Sequence, residues 1–125
     1  MVDTLPTRHL LVVDDEADSA DALAALLRLV LPHWDVAVAY GGSAAVECGR
    51  CGPLEAIVLD IEMPGLDGFG AAAALRAATQ GTLPVLIAVS GNPSKVVAAL
   101  ASGVFDHALR KPIDVAQLKA LCELP

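Results

Sequence analysis

A doubly wound α/β domain, five parallel strands with helices on both faces, is the fold that this sequence predicts. Three observations lead there. Five short apolar runs recur along the 125 residues: 10–13 (LLVV), 36–39 (VAVA), 56–59 (AIVL), 85–89 (VLIAV) and 105–109 (FDHAL). Stretches with helical spacing lie between them and after the last. Run 56–59 is hydrophobic at every position, as a strand buried on both faces must be. Regular alternation of this kind requires crossover connections, hence a parallel sheet covered on both sides.

The elements follow in order. After the first run, Ala20, Leu23, Ala24, Leu27, Val30 and Leu31 place one apolar stripe on a first helix, and Pro32 ends it. The second helix is short, about residues 43–48, with Gly49 and Gly52-Pro53 as its closing signals. The third runs through FGAAAALRAA (69–78), ahead of Gly81. The fourth starts near Pro93-Ser94, carries Val96, Val97 and Leu100, and stops at Gly103, which suits a left-handed C-terminal cap. Asp114 caps the fifth, with Gln117 three residues on completing a capping box and Ile113 placed to staple against Leu118.

Size and composition narrow the function. One domain is expected, because a chain of this length buries a single core. The hydrophobic fraction is 55% but the aromatic fraction only 3%, so the apolar mass is Ala, Leu and Val, and no aromatic platform for bases or flavins is on offer. Eight Lys and Arg against fifteen Asp and Glu, a net charge of −7, argue against direct nucleic-acid binding. No apolar stretch reaches the ~18 residues that span a bilayer and the N-terminus has no signal-peptide layout, so the expectation is a cytoplasmic protein without a membrane partner. Three cysteines make no disulfide framework. Cys48 and Cys51 form a C-x-x-C, but no second Cys/His pair stands at zinc spacing, and a helix residue followed by one in the next turn is the plainer reading.

In a doubly wound sheet, ligands sit outside the carboxyl ends of the strands. The chemistry-bearing residues of this sequence fall there. Run one ends at Asp14 and Asp15, run three at Asp60, run four at Ser90, and run five leads into Lys111. Singly each has a plain structural reading: capping acids, a capping serine, a solvated lysine. Together, three carboxylates at one end of the sheet repel one another by on the order of several kcal/mol per close contact at an effective dielectric of ~20, so something positive belongs there. A hard divalent cation that takes one or two carboxylates and a phosphate describes magnesium, Mg2+. Lys111 supplies further positive charge. An aspartate can act as a nucleophile toward phosphorus, and a cation with a lysine can neutralise the transferred group's oxygens.

The segments LLVVDDE (10–16), IVLDIEMPGLDGF (57–69), AVSG (88–91) and LRKP (109–112), in this order and spacing, resemble the receiver domains of two-component response regulators. The resemblance covers about residues 8–121, so residues 1–125 read as one receiver domain. It implies a flavodoxin-like (βα)5 fold with strand order 2-1-3-4-5. It also implies a role for each site residue. Asp60 is the phosphoacceptor, Asp15 a direct Mg2+ ligand, Asp14 an acid acting largely through water, and Glu62 the donor of a backbone carbonyl to the metal. Ser90 hydrogen-bonds the phosphoryl group and Lys111 pairs with it, while Pro64 and Gly68 match loop-shaping positions. The expected donor is a histidine kinase or histidine phosphotransfer protein, and any output partner engages the fourth helix and last strand. Such a domain catalyses only its own phosphoryl transfer and slow dephosphorylation.

One departure stands out. Receivers usually carry an aromatic residue three positions before the lysine, and here that position is Ala108. With no ring to exchange between exposed and buried positions, the expected movable parts are Ser90, the Gly91-Asn92-Pro93 loop and the start of the fourth helix. The segment GVFDHALRKPID (103–114) also resembles the last strand of receivers attached to hybrid sensor kinases; His107 within it reads as a surface or edge residue. Three rivals are weaker. A haloacid dehalogenase-type hydrolase has two aspartates two apart after its first strand, whereas Asp14 and Asp15 are adjacent. A flavin carrier lacks its phosphate loop after Val13. A degenerate receiver serving only as a binding module is disfavoured by the full set of phosphorylation residues.

Overall fold

The computed structural model describes residues 7–62, 68–79 and 84–123. Five strands and five helices alternate: β1 Arg8–Val13, α1 Ala17–Val30, β2 Trp34–Ala39, α2 Gly42–Cys51, β3 Ala56–Asp60, α3 Gly68–Ala78, β4 Val85–Ser90, α4 Pro93–Ser102, β5 His107–Arg110 and α5 Val115–Cys122. The strands form one parallel sheet in the order β2-β1-β3-β4-β5, the predicted doubly wound arrangement.

The period-two alternation of strand side chains divides the core into two layers. Leu10, Val12, Ala56, Val58, Ile87, Val89 and Leu109 pack with Ala20, Ala24 and Leu27 of α1 and Leu118 and Cys122 of α5. Leu11, Val13, Ile57, Leu59, Leu86 and Ala88 pack on the opposite face with Ala45 of α2, Ala71, Ala72 and Leu75 of α3, and Ala99 of α4. Many of the helical contacts are alanines, so these helices lie close on the sheet.

Several element ends differ from the sequence expectation, each for a physical reason. Helix α2 does not stop at Gly49 but continues to Cys51. The missing side chain serves packing instead, since a Cβ at Gly49 would lie 3.3 Å from Leu75 Cδ2 on α3. Trp34 is the first residue of β2 rather than a residue preceding it; it pairs with Arg8, whose guanidinium lies 5.6 Å from the Trp34 ring centroid. Phe105 lies before β5, buried as a plug with its ring edge-on to Phe69 at 5.7 Å. On α4, Ala99 is the buried contact, whereas Val97 and Leu100 are exposed.

The caps are largely as the sequence indicates. Asn92 Oδ1 accepts from Ser94 N with Pro93 opening α4, and Gly103 closes it in the left-handed conformation at φ 75°. Asp114 Oδ1 accepts from Ala116 N and Gln117 N, with Ile113 and Leu118 in the same apolar layer. Gly81 and Pro64 lie outside the described residues.

Candidate functional site

The strand register sets the site. Val13 pairs with Leu59, and Asp60 with Val89, while Ser90 pairs with Arg110. The next residues along β1 and β5, Asp14 and Lys111, therefore emerge beside Asp60 and Ser90. Backbone bonds fix both: Asp14 N donates to Ala39 O at 3.2 Å and Lys111 N to Ser90 O at 2.9 Å.

All three predicted acids converge. Carboxylate oxygens of Asp14, Asp15 and Asp60 lie within 4.8 Å of one another, and this is the group suited to a metal ion among the described residues. Asp14 and Asp60 are buried and Asp15 is exposed. Asp60 is held at both oxygens, Oδ1 accepting from Glu62 N at 2.8 Å and Oδ2 from Lys111 Nζ at 2.9 Å. Asp14 Oδ1 accepts from Glu16 N at 3.0 Å.

The charges leave their mark on the neighbours. Burial raises the Asp14 carboxyl above its ordinary value; the Glu16 N–H opposes this, the charges of Asp60 and Asp15 add to it, and Lys111 partly relieves it. For Lys111, burial disfavours the ammonium, but the hydrogen bond to Asp60 and the charges of Asp60, Asp14 and Glu62 outweigh it, so its pKa is raised. The donor set is all hard oxygen, as Mg2+ or Ca2+ requires and as a thiol- or imidazole-seeking metal does not. A cation there relieves the repulsion that Lys111 alone leaves uncompensated.

Ser90 is fully buried at the end of β4. Its Oγ accepts from Asn92 N at 3.0 Å and donates to Glu62 Oε1, and the same Glu62 oxygen accepts from Gly91 N at 2.7 Å. These bonds, the Ser90 hydroxyl first, lower the Glu62 pKa. Sequence reasoning gave Glu62 only a backbone role and missed this contact. The available signal was positional, since Asp60 pairs with Val89 and the residues just beyond each must face one another.

Gly68 opens α3 directly against Ile61. A Cβ at Gly68 would fall 2.4 Å from Ile61 Cα, so no other residue fits without moving backbone. The remaining sequence candidates lie elsewhere. Cys48 is half-buried on α2, Cys51 exposed at its last residue, and both are free thiols. His107 is half-buried at the start of β5, the end of the sheet away from the carboxylates. Ala108 pairs with Ala88 and packs on the layer that contains α3 and α4. No described helix is long and apolar enough to cross a membrane.

Comparison with known proteins agrees with this geometry. The transcriptional regulatory protein PrrA of Mycobacterium tuberculosis is 37% identical over 112 residues, covering 90% of this chain and 47% of PrrA; the chain thus spans about half the length of that curated relative. The receiver domain of a sensor histidine kinase from Pseudomonas aeruginosa superimposes with a TM-score of 0.80 at 26% identity, covering 94% of this chain and 96% of that one. That structure has a magnesium ion coordinated in its active site cleft. A CheY-like response regulator receiver domain from Methylobacillus flagellatus gives a TM-score of 0.82 at 25% identity over 93% of this chain and 96% of its own. With the family profile described as the response regulator receiver domain matching residues 10–123, the chain belongs to the receiver domains of two-component signal transduction.

Proposed function

We propose that this domain takes a phosphoryl group from a phosphohistidine donor, on a histidine kinase or a histidine phosphotransfer protein, onto Asp60. The observation that carries the reading is the double grip on Asp60 at the centre of the acidic trio, with Lys111 on one oxygen and the Glu62 N–H on the other. A carboxylate so oriented is presented as a nucleophile rather than left to rotate. In the transfer a carboxylate oxygen of Asp60 bonds to phosphorus as the phosphorus–nitrogen bond of the donor breaks, and the electron pair leaves with the imidazole.

The trio fits Mg2+, with Asp15 and Asp60 as direct ligands, Asp14 acting mainly through water and the Glu62 carbonyl completing the protein's share. When bound, the ion supplies charge neutralisation at the transferred oxygens. Lys111 neutralises another of them, and the Ser90 hydroxyl donates to a third. The family match supports a signalling module; the restriction to self-phosphorylation and slow dephosphorylation, a cytoplasmic location and the extent of the domain over residues 1–125 complete the reading.

Output is assigned to the Gly91-Asn92-Pro93 loop and α4. Ala108 offers no ring to move, whereas Ser90 is joined directly to this loop through Asn92 N. The exposed Val97 and Leu100 give α4 an apolar surface for a partner.

Mass spectrometry after incubation with an acyl phosphate tests the reading. One added phosphoryl group is expected at Asp60, only with Mg2+, and Asp60→Asn removes it. Equal labelling of the variant at another residue overturns the assignment. Hydrogen exchange with beryllofluoride should change across residues 90–100; changes confined to 105–110 would contradict the output assignment.

A further inference from the structure

Glu62 Oε1 accepts from both the Ser90 hydroxyl and the Gly91 N–H. Each of these donors has one proton to give. Both converge on a single anionic oxygen, and both stand at the end of β4, the strand paired with the one that ends at Asp60. The arrangement is a small two-donor anion site, and in this structure the protein's own carboxylate fills it.

We propose that the Glu62 carboxylate is an internal competitor of the phosphoryl group, holding the donors that the phosphoryl oxygen needs and keeping the unphosphorylated domain in a self-satisfied state. The proposal rests on the reading of Asp60 as the phosphoacceptor and deepens it. A serine hydroxyl whose proton points at Glu62 cannot also point at phosphorus-bound oxygen. Phosphorylation therefore requires an exchange: Glu62 leaves, and the phosphoryl oxygen takes over Ser90 and Gly91.

Two features make that exchange feasible. Glu62 is solvent-exposed, so the displaced carboxylate is rehydrated rather than stranded. The incoming group carries more negative charge than the carboxylate and repels it at close range. Lys111 and Lys95, the latter in the first turn of α4, are the cations whose charges reach Glu62. The cost of the exchange appears as reduced apparent affinity for any phosphoryl group or mimic, because only the fraction of molecules with Glu62 displaced is competent.

The test is a titration with beryllofluoride in the presence of Mg2+, on wild type, Glu62→Ala, Glu62→Gln and Asp60→Asn, with amide exchange at Gly91 measured in the unliganded proteins. Both Glu62 substitutions keep the backbone carbonyl. Glu62→Ala is expected to bind the mimic roughly 3- to 10-fold more tightly, with Glu62→Gln intermediate, as suits an exposed but doubly hydrogen-bonded carboxylate. The Gly91 amide should exchange faster in Glu62→Ala than in wild type. Unchanged or weaker binding by Glu62→Ala, with Asp60→Asn inactive, overturns the competitor and leaves the phosphoacceptor reading standing. Gly91 protection equal in wild type and Glu62→Ala also overturns the competitor. Wild-type affinity in Asp60→Asn overturns the phosphoacceptor reading itself, and the competitor with it.

Discussion

Lys111 Nζ lies 2.9 Å from Asp60 Oδ2, although 51 positions separate the two in sequence. The contact follows from topology: β3 and β5 both flank β4 and run parallel, so the residues that leave their carboxyl ends meet over Ser90. With Lys111 39% exposed, the pair is screened by water and contributes modestly to stability.

Lys111→Ala should therefore cost less than about 1 kcal/mol of stability in thermal melts. Phosphorylation by an acyl phosphate should slow on the order of 100-fold, since a charge aimed at the transferred group is lost. Mg2+ should stabilise the variant more than wild type, because the ion then carries the neutralisation alone. A large stability loss with normal phosphorylation kinetics would reverse the assignment of Lys111 from chemistry to scaffold.

Asp14 gives a pH signature. Its folded-state pKa is raised above the ordinary 3.8, first by burial, so between those values the folded state holds the extra proton and stability falls as pH rises through the window. At neutral pH the ionised carboxylate is a standing cost. Asp14→Asn, which keeps an oxygen for the Glu16 N–H, should melt at a higher temperature than wild type at neutral pH without Mg2+. The gap should close as pH falls toward 3.8, and Mg2+ should narrow it at neutral pH. No gap in metal-free buffer at neutral pH would contradict this account.

Gly68→Ala should destabilise by about 2 kcal/mol or more in urea denaturation, because the new Cβ meets the backbone of Ile61 at 2.4 Å rather than the yielding tip of a side chain. Gly52→Ala is the control. A Cβ there meets nothing within 4 Å, and the change should stay within about 0.5 kcal/mol.

The cysteines should react in the order of their exposure. Cys51 is open to solvent and should alkylate first at about pH 8. Burial raises the Cys48 thiol and should slow it. Burial and the charge of Glu123 push Cys122 up to about 11, so it should label only on unfolding. Peptide mapping of iodoacetamide adducts over time checks the order.

Trp34 reports from the wrong end of the sheet. It opens β2, about 20 Å from the carboxyl ends by strand length. Its emission should stay constant through a Mg2+ titration, and strong quenching would place the metal elsewhere.

The parts of this molecule that were legible in the sequence are those fixed by strand polarity. A polar residue within two positions of the end of an apolar run has its place assigned by the run, and Asp14, Asp15, Asp60, Ser90 and Lys111 are all of this kind. Residues whose role depends on a neighbour's shape were less legible. Gly49 looked like a helix end because glycine ends helices, but the demand on it came from Leu75 on another helix. Phe105 looked like a strand residue because it is apolar, but its ring is taken up by Phe69. The Glu62 side chain depends on how the loop after Ser90 turns its N–H groups, which no local pattern encodes.

The contact between Ile61 and Gly68 also has a mechanical side. On that flank of Asp60, Gly68 is pressed against the backbone and the first side-chain atoms of Ile61, a close abutment with little room to give. On the other flank stand a serine hydroxyl, a latch formed by one exposed carboxylate on Ser90 and Gly91, and a helix whose outer face exposes Val97 and Leu100. Load applied at Asp60 is shared in proportion to compliance, so the stiff side moves little and the soft side takes most of the displacement. On the output reading proposed above, the direction in which this domain signals is set by where it cannot bend.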